Sequence, residues 1–122
     1  MLIPEGLQAV IDETRARVRV GYPWWLRHFL ARDVVAITLG RTIFVSPQFA
    51  QRAPAQIERL LRHELAHVRQ VLRHGLLVFL WLYAAEFARH FWRLRNVSRA
   101  YQAISFEVEA NAAERDELQT AL

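Results

Sequence analysis

The chain has 122 residues, 53% of them hydrophobic, which suits one globular domain over residues 1–122 with a core of its own. It contains no cysteine, so disulfides, thiolate metal sites and thiol catalysis are all excluded. The net charge is +4 and every basic residue is arginine, spread from Arg15 to Arg115 without a long block, so a nucleic-acid partner is only weakly signalled.

The N-terminal stretch "MLIPEGLQAVIDETRARVRV" mixes apolar and charged residues and lacks the apolar core of a signal peptide. A cytoplasmic location is the expectation, with other export routes left open. Pro4 and the helical spacing of Leu7, Val10, Ile11 and Thr14 predict a helix over 4–16. Residues 17–20, "RVRV", alternate as a strand does, and Gly21 and Pro23 then break the chain. A short helix is expected over 24–30. "VVAITL" at 34–39 and "TIFV" at 42–45 read as strands joined by a turn at Gly40-Arg41, a hairpin.

Ser46-Pro47 caps the next segment, and Pro54 can open a long helix. That helix carries Ile57, Leu61, Leu65, Val68 and Leu72 on one stripe and stops at Gly75. The run "LLVFLWLYAA" at 76–85 is bounded by charged or polar residues. It falls well short of the ~20 apolar residues that a membrane span needs. It therefore reads as a buried helix, extending over 76–95, with peripheral membrane or partner-protein contact as the alternative. Residues 96–98 interrupt the pattern, and a last helix covers 106–119. A helix, a few strands and then three helices predict an α+β fold, mostly helical, with a small N-terminal antiparallel or mixed sheet packed on the central helix.

The central helix contains "LLRHELAHVRQ", residues 60–70. Helical residues four apart lie one above the other, so His63 and His67 can direct two imidazoles at one ion. Glu64 sits about 100° round the helix, placed to reach a water on that ion rather than the ion itself. Zinc lowers the pKa of its water to about 7, and a carboxylate can then take the proton. A catalytic zinc typically keeps three protein ligands and one open position, so a third ligand must come from elsewhere. His74 is about 10 Å along the axis from His67, too far for the same ion. His28 and His90 lie on other segments and read as surface or packing residues.

The best third candidate is Glu107. It shares a helix face with Asn111, which could accept a hydrogen bond from the second nitrogen of a histidine ligand. Glu109 is the rival, but the residue four further on is Ala113, which offers no such partner. Glu114 and Glu117 read as a solvated face.

At "HELAH" and "EVEAN" (residues 107–111) the chain resembles the gluzincin zinc metallopeptidases, which join H-E-x-x-H to a downstream glutamate on a second helix. Asn111 stands where that motif has Asp, which removes a negative charge behind the histidines. "AITLGRTIFVSP" with the motif helix after it is similar to compact bacterial metallopeptidases built around a minimal gluzincin core. The resemblance covers roughly residues 34–114. It implies Zn2+ bound by His63, His67 and Glu107, with Glu64 as the general base. It also implies a peptide or protein substrate in extended form, paired along residues 42–45. A Tyr or His stabilises the oxyanion in such enzymes, and Tyr101 is the candidate here. Two other classes stay open: a non-catalytic zinc-containing interaction module, and a basic nucleic-acid-associated protein.

Overall fold

The computed structural model describes residues 3–28 and 34–120, and for 116–120 the backbone alone. The fold is α+β and mostly helical, with a three-stranded mixed sheet near the N-terminus. Helix α1 (Glu5–Thr14) ends where Arg15 turns into the left-handed region, and strand β1 (Arg17–Val20) comes next. A short helix α2 (Trp24–Arg27) leads towards the hairpin of β2 (Ala36–Leu39) and β3 (Thr42–Val45). The expected helix at 24–30 and strand at 34–39 are both shorter than the sequence pattern suggests, and residues 29–33 lie outside the described residues. Gly40 closes the hairpin at φ +62°, a conformation that favours glycine.

The sheet order is β1-β3-β2. β3 pairs in parallel with β1 and antiparallel with β2, so both of its edges are used. The expectation that residues 42–45 offer a free edge to a peptide is therefore wrong. Local alternation cannot reveal a parallel partner more than twenty residues away, and β1 takes the position that an incoming chain would have needed. Among the described strands, β2 is the outer strand on the side away from β1.

Ser46 follows the sheet, and its hydroxyl accepts from the Phe49 N–H at 3.1 Å, where a single 3-10 turn (Phe49–Gln51) begins. Pro54 then opens the central helix α3 (Pro54–His74), and Gly75 closes it at φ +81°. Ile57, Leu61, Leu65 and Val68 form the buried stripe of α3 and pack with Leu7 and Ile11 of α1 and with Ile43 and Val45 of β3. Leu72, expected on that stripe, is 42% exposed. Val71 is buried instead, packing in a second cluster with Phe79, Ile104 and Phe106. The stripe drifts because 3.6 residues per turn carries its last member out of the contact.

Helix α4 (Leu76–Leu94) leaves α3 at an angle of 113°. Among the described residues no single helix is long and apolar enough to cross a membrane. The buried helix expected here is mostly exposed: only Phe79 and His90 of α4 are buried. The interruption at 96–98 is the start of a further helix, α5 (Val97–Ala103), whose N-cap Asn96 accepts from the Arg99 N–H at 2.9 Å. The last helix, α6 (Ser105–Thr120), packs along α3. Its first turn is held by Glu86 of α4, which accepts from the Ser105 N–H and hydroxyl at 3.2 and 2.7 Å.

Candidate metal centre

Helices α3 and α6 run antiparallel, since Gln70 meets Phe106 while His63 meets Glu114. This register brings Glu107 against the paired histidines. Glu107 Oε1 lies 3.1 Å from His67 Nε2, Glu107 Oε2 lies 3.2 Å from His63 Nε2, and the two Nε2 atoms are 3.2 Å apart. These three side chains are a group able to hold a metal ion. Ligands about 2.0–2.1 Å from a tetrahedral zinc stand about 3.3 Å from one another, close to the spacing seen here. Glu107 Oε2 is buried and has no hydrogen bond among the described residues, which an ion between the three atoms would satisfy. The residues present fit a zinc ion on both counts.

The electrostatics agree with the geometry. Burial disfavours the charged form of Glu107, but contacts with His63 and His67 outweigh it and hold the carboxyl well below the usual range. Burial likewise opposes charge on His63 and His67, yet the carboxylate of Glu107 raises both. Glu107 is 2% exposed, so its negative charge is held mainly by the protein groups around it rather than by bulk water.

The second nitrogens of the histidines do not meet Asn111, and that expectation is overturned. His67 Nδ1 lies 2.9 Å from Gln70 Oε1. The Gln70 amide nitrogen donates to Phe106 O at 3.0 Å and to Glu109 Oε1 at 3.2 Å, so the amide cannot flip. Its oxygen must face His67, which makes Nδ1 a donor and leaves Nε2 for the cluster. His63 Nδ1 lies 2.8 Å from Glu114 Oε1, at ion-pair distance but without hydrogen-bond alignment. Glu114 therefore belongs to the site rather than to a solvated face. The side chain of Glu117 lies outside the described residues. The physical reason is the helix register: His63 stands level with Glu114, and Gln70 level with Phe106 and Glu109, so Asn111 falls between them.

The rival Glu109 points away from the metal group. It contacts Gln70 and lies 3.5 Å from Arg73. Spacing alone could have found Gln70, which stands three residues after His67 on the same helix. His74 packs on Phe106, His90 lies against Arg93 and His28 against Trp24, and none of them joins the group.

A cavity of about 560 Å³ opens beside the group, lined by His67, Glu64, Glu107 and residues 36–40 of β2 and its turn. Glu64 is buried, and its Oε2 accepts a 2.5 Å hydrogen bond from the Thr38 hydroxyl. Val71, Leu76, Phe79 and Leu80 give the cavity apolar walls. Tyr83 and Tyr101 also line it. Tyr83 donates to Glu107 Oε1 at 2.9 Å. Burial, then the charge of Glu107, pushes Tyr101 up to about 12 and raises Tyr83 as well, so both remain protonated phenols and hydrogen-bond donors.

The fold and this group define an α+β domain with a candidate His-His-Glu metal centre on its central helix. Residues 15–75, half of the chain, match the model of the eCIS core domain (extracellular contractile injection system core), and the chain belongs to that family. The matched segment runs from β1 through α3 and contains His63, Glu64 and His67, while Glu107 lies beyond it. No curated protein and no solved structure matches the chain.

Proposed function

We propose that this domain is a zinc-dependent metallopeptidase of gluzincin type, working as a component of a larger protein assembly. The observation that carries the reading is the convergence of His63 Nε2, His67 Nε2 and Glu107 beside the cavity that Glu64 lines. The family description supports the assembly, because the core of an injection system implies protein partners. His63, His67 and Glu107 would hold the zinc. When bound, zinc polarises a carbonyl and makes water more acidic.

The chain's own residues supply the rest. Glu64 takes the proton from the attacking water and passes it to the leaving amine. The Thr38 hydroxyl holds Glu64 Oε2 and so orients the carboxylate. Tyr83 donates its hydroxyl proton to Glu107, and Tyr101, which also contacts Glu107 and Tyr83 and lines the cavity, is the phenol that would turn its proton to a developing oxyanion. An extended peptide adds along β2, whose residues line the cavity, rather than along the fully paired β3. The apolar walls and the Arg-rich surface favour no nucleic-acid role over this one.

The competing reading is a non-catalytic zinc-containing module that stabilises or docks within the assembly, favoured by the matched segment being an assembly core. Hydrolysis of an unstructured protein substrate separates the two. Turnover that a chelator abolishes and added zinc restores is expected of the peptidase. Zinc bound at one per chain with no turnover would leave the module. Gln70→Leu is expected to weaken zinc binding by ~10–100-fold, the usual cost of losing a hydrogen bond to a ligating histidine. A competition titration against a zinc-binding dye reads this, and unchanged affinity would mean that packing alone orients His67.

A further inference from the structure

Helix α4 turns an uninterrupted apolar stripe outwards. At 100° per residue, Leu77, Trp81, Ala84, Ala88 and Trp92 fall within an arc of about 80°. All five are exposed, with Leu77 at 81%, Trp81 at 71% and Trp92 at 68%. Leu80 and Val78 flank the stripe, each about half exposed. The opposite side of α4, through Phe79, Tyr83 and His90, packs inwards. The exposed parts of the larger side chains amount to roughly 500–700 Å², at or beyond the upper end of the ~300–600 Å² of a monomer's largest apolar patch and approaching the ~800 Å² per partner of a stable interface.

The order of large and small residues along the stripe is self-complementary. Reversing it about a point between Ala84 and Ala85 sets Leu77 against Trp92, Trp81 against Ala88 and Ala84 against Ala85. Each tryptophan then meets a smaller residue, and the alanines at the centre let two helices approach closely. A parallel arrangement would set Trp81 on Trp81 and Trp92 on Trp92 and hold the helices apart over the alanines. The antiparallel arrangement also opposes the helix dipoles favourably.

We propose that a second copy of this chain covers the stripe, with the two α4 helices packed antiparallel about a two-fold axis between Ala84 and Ala85. The contact is isologous and closes at two copies. Leu80 lines the cavity of the candidate site and flanks the stripe, so the second copy stands beside the cavity mouth. This inference does not depend on zinc or on hydrolysis.

The test uses the full chain in sedimentation equilibrium at micromolar concentration. Two chains per particle are expected for the wild type and one for Ala88→Trp and for Trp81→Arg. All of these side chains are exposed within one chain, so the variants keep the fold, which far-UV circular dichroism checks. The chain has no cysteine, so orientation can be read by cross-linking. A mixture of Leu77→Cys and Trp92→Cys is expected to link across with a short bismaleimide, and neither variant alone. A wild-type monomer would overturn the proposal. Self-linking of Leu77→Cys, or a dimer unchanged by Trp81→Arg, would also overturn it. So would a monomer that sediments with anionic phospholipid vesicles through Trp81, which would assign the stripe to a membrane surface.

Discussion

Glu107→Ala is expected to lower zinc affinity by orders of magnitude, because it removes one of three ligands. The two candidate glutamates stand two residues apart on α6 and so point about 200° away from each other. Glu107 faces His63 and His67 at 3.1–3.2 Å, whereas Glu109 faces Gln70 and Arg73. Glu109→Ala is therefore expected to change affinity little, through a looser Gln70 only. His63→Ala and His67→Ala should behave like Glu107→Ala. Glu107→Gln is the control for fold, since it keeps the volume and an acceptor for Tyr83. A ligand present at a hundred times its Kd stabilises the native state by about 2.7 kcal/mol, so zinc should raise the Tm of the wild type and of Glu109→Ala but not of the ligand variants. A silent Glu107→Ala beside a damaging Glu109→Ala would mean that α6 meets α3 in another register.

Glu64→Gln is expected to keep the zinc and the fold while lowering hydrolysis by ~10²–10⁴-fold, the usual worth of a general base. The amide oxygen can still accept from Thr38 Oγ1, so the side chain should stay in place, but an amide cannot take the proton of water. Steady-state turnover and metal content measured on one preparation check this together. Equal turnover in the variant and the wild type would assign the hydrolysis to another group or another protein. The direction separates Glu64 from the ligands: His63→Ala loses both metal and turnover, and Glu64→Gln loses turnover alone.

How much of this is legible in the sequence depends on whether the contact is local. The four-residue spacing of His63 and His67, the opening of α3 at Pro54 and its end at Gly75 are all properties of one helix, and periodicity exposes them. The preference for Glu107 over Glu109 rests on which residue has a useful neighbour, and the structure brings Glu107 to the histidines. The neighbour itself is a different one. Asn111 shares Glu107's face, but partners across two helices depend on the inter-helix register, which the sequence of one helix does not contain. Gln70 and Glu114 take the positions behind the histidines for that reason. The sheet departs from expectation in the same way. The β2–β3 hairpin is local and visible, whereas the parallel pairing of β1 with β3 is not, and it moves the open edge from β3 to β2. Helix α4 reads as buried because its sequence is apolar on nearly every side. Composition cannot distinguish a helix covered by its own chain from one that leaves a face for another.

Anomalous scattering across the zinc absorption edge, from a crystal of the chain grown with zinc, locates the ion itself. One strong peak per chain is expected, about 2.0–2.2 Å from His63 Nε2, His67 Nε2 and a carboxylate oxygen of Glu107, with Glu64 outside the ligand set. A peak elsewhere, or none, would contradict a zinc site at these three residues.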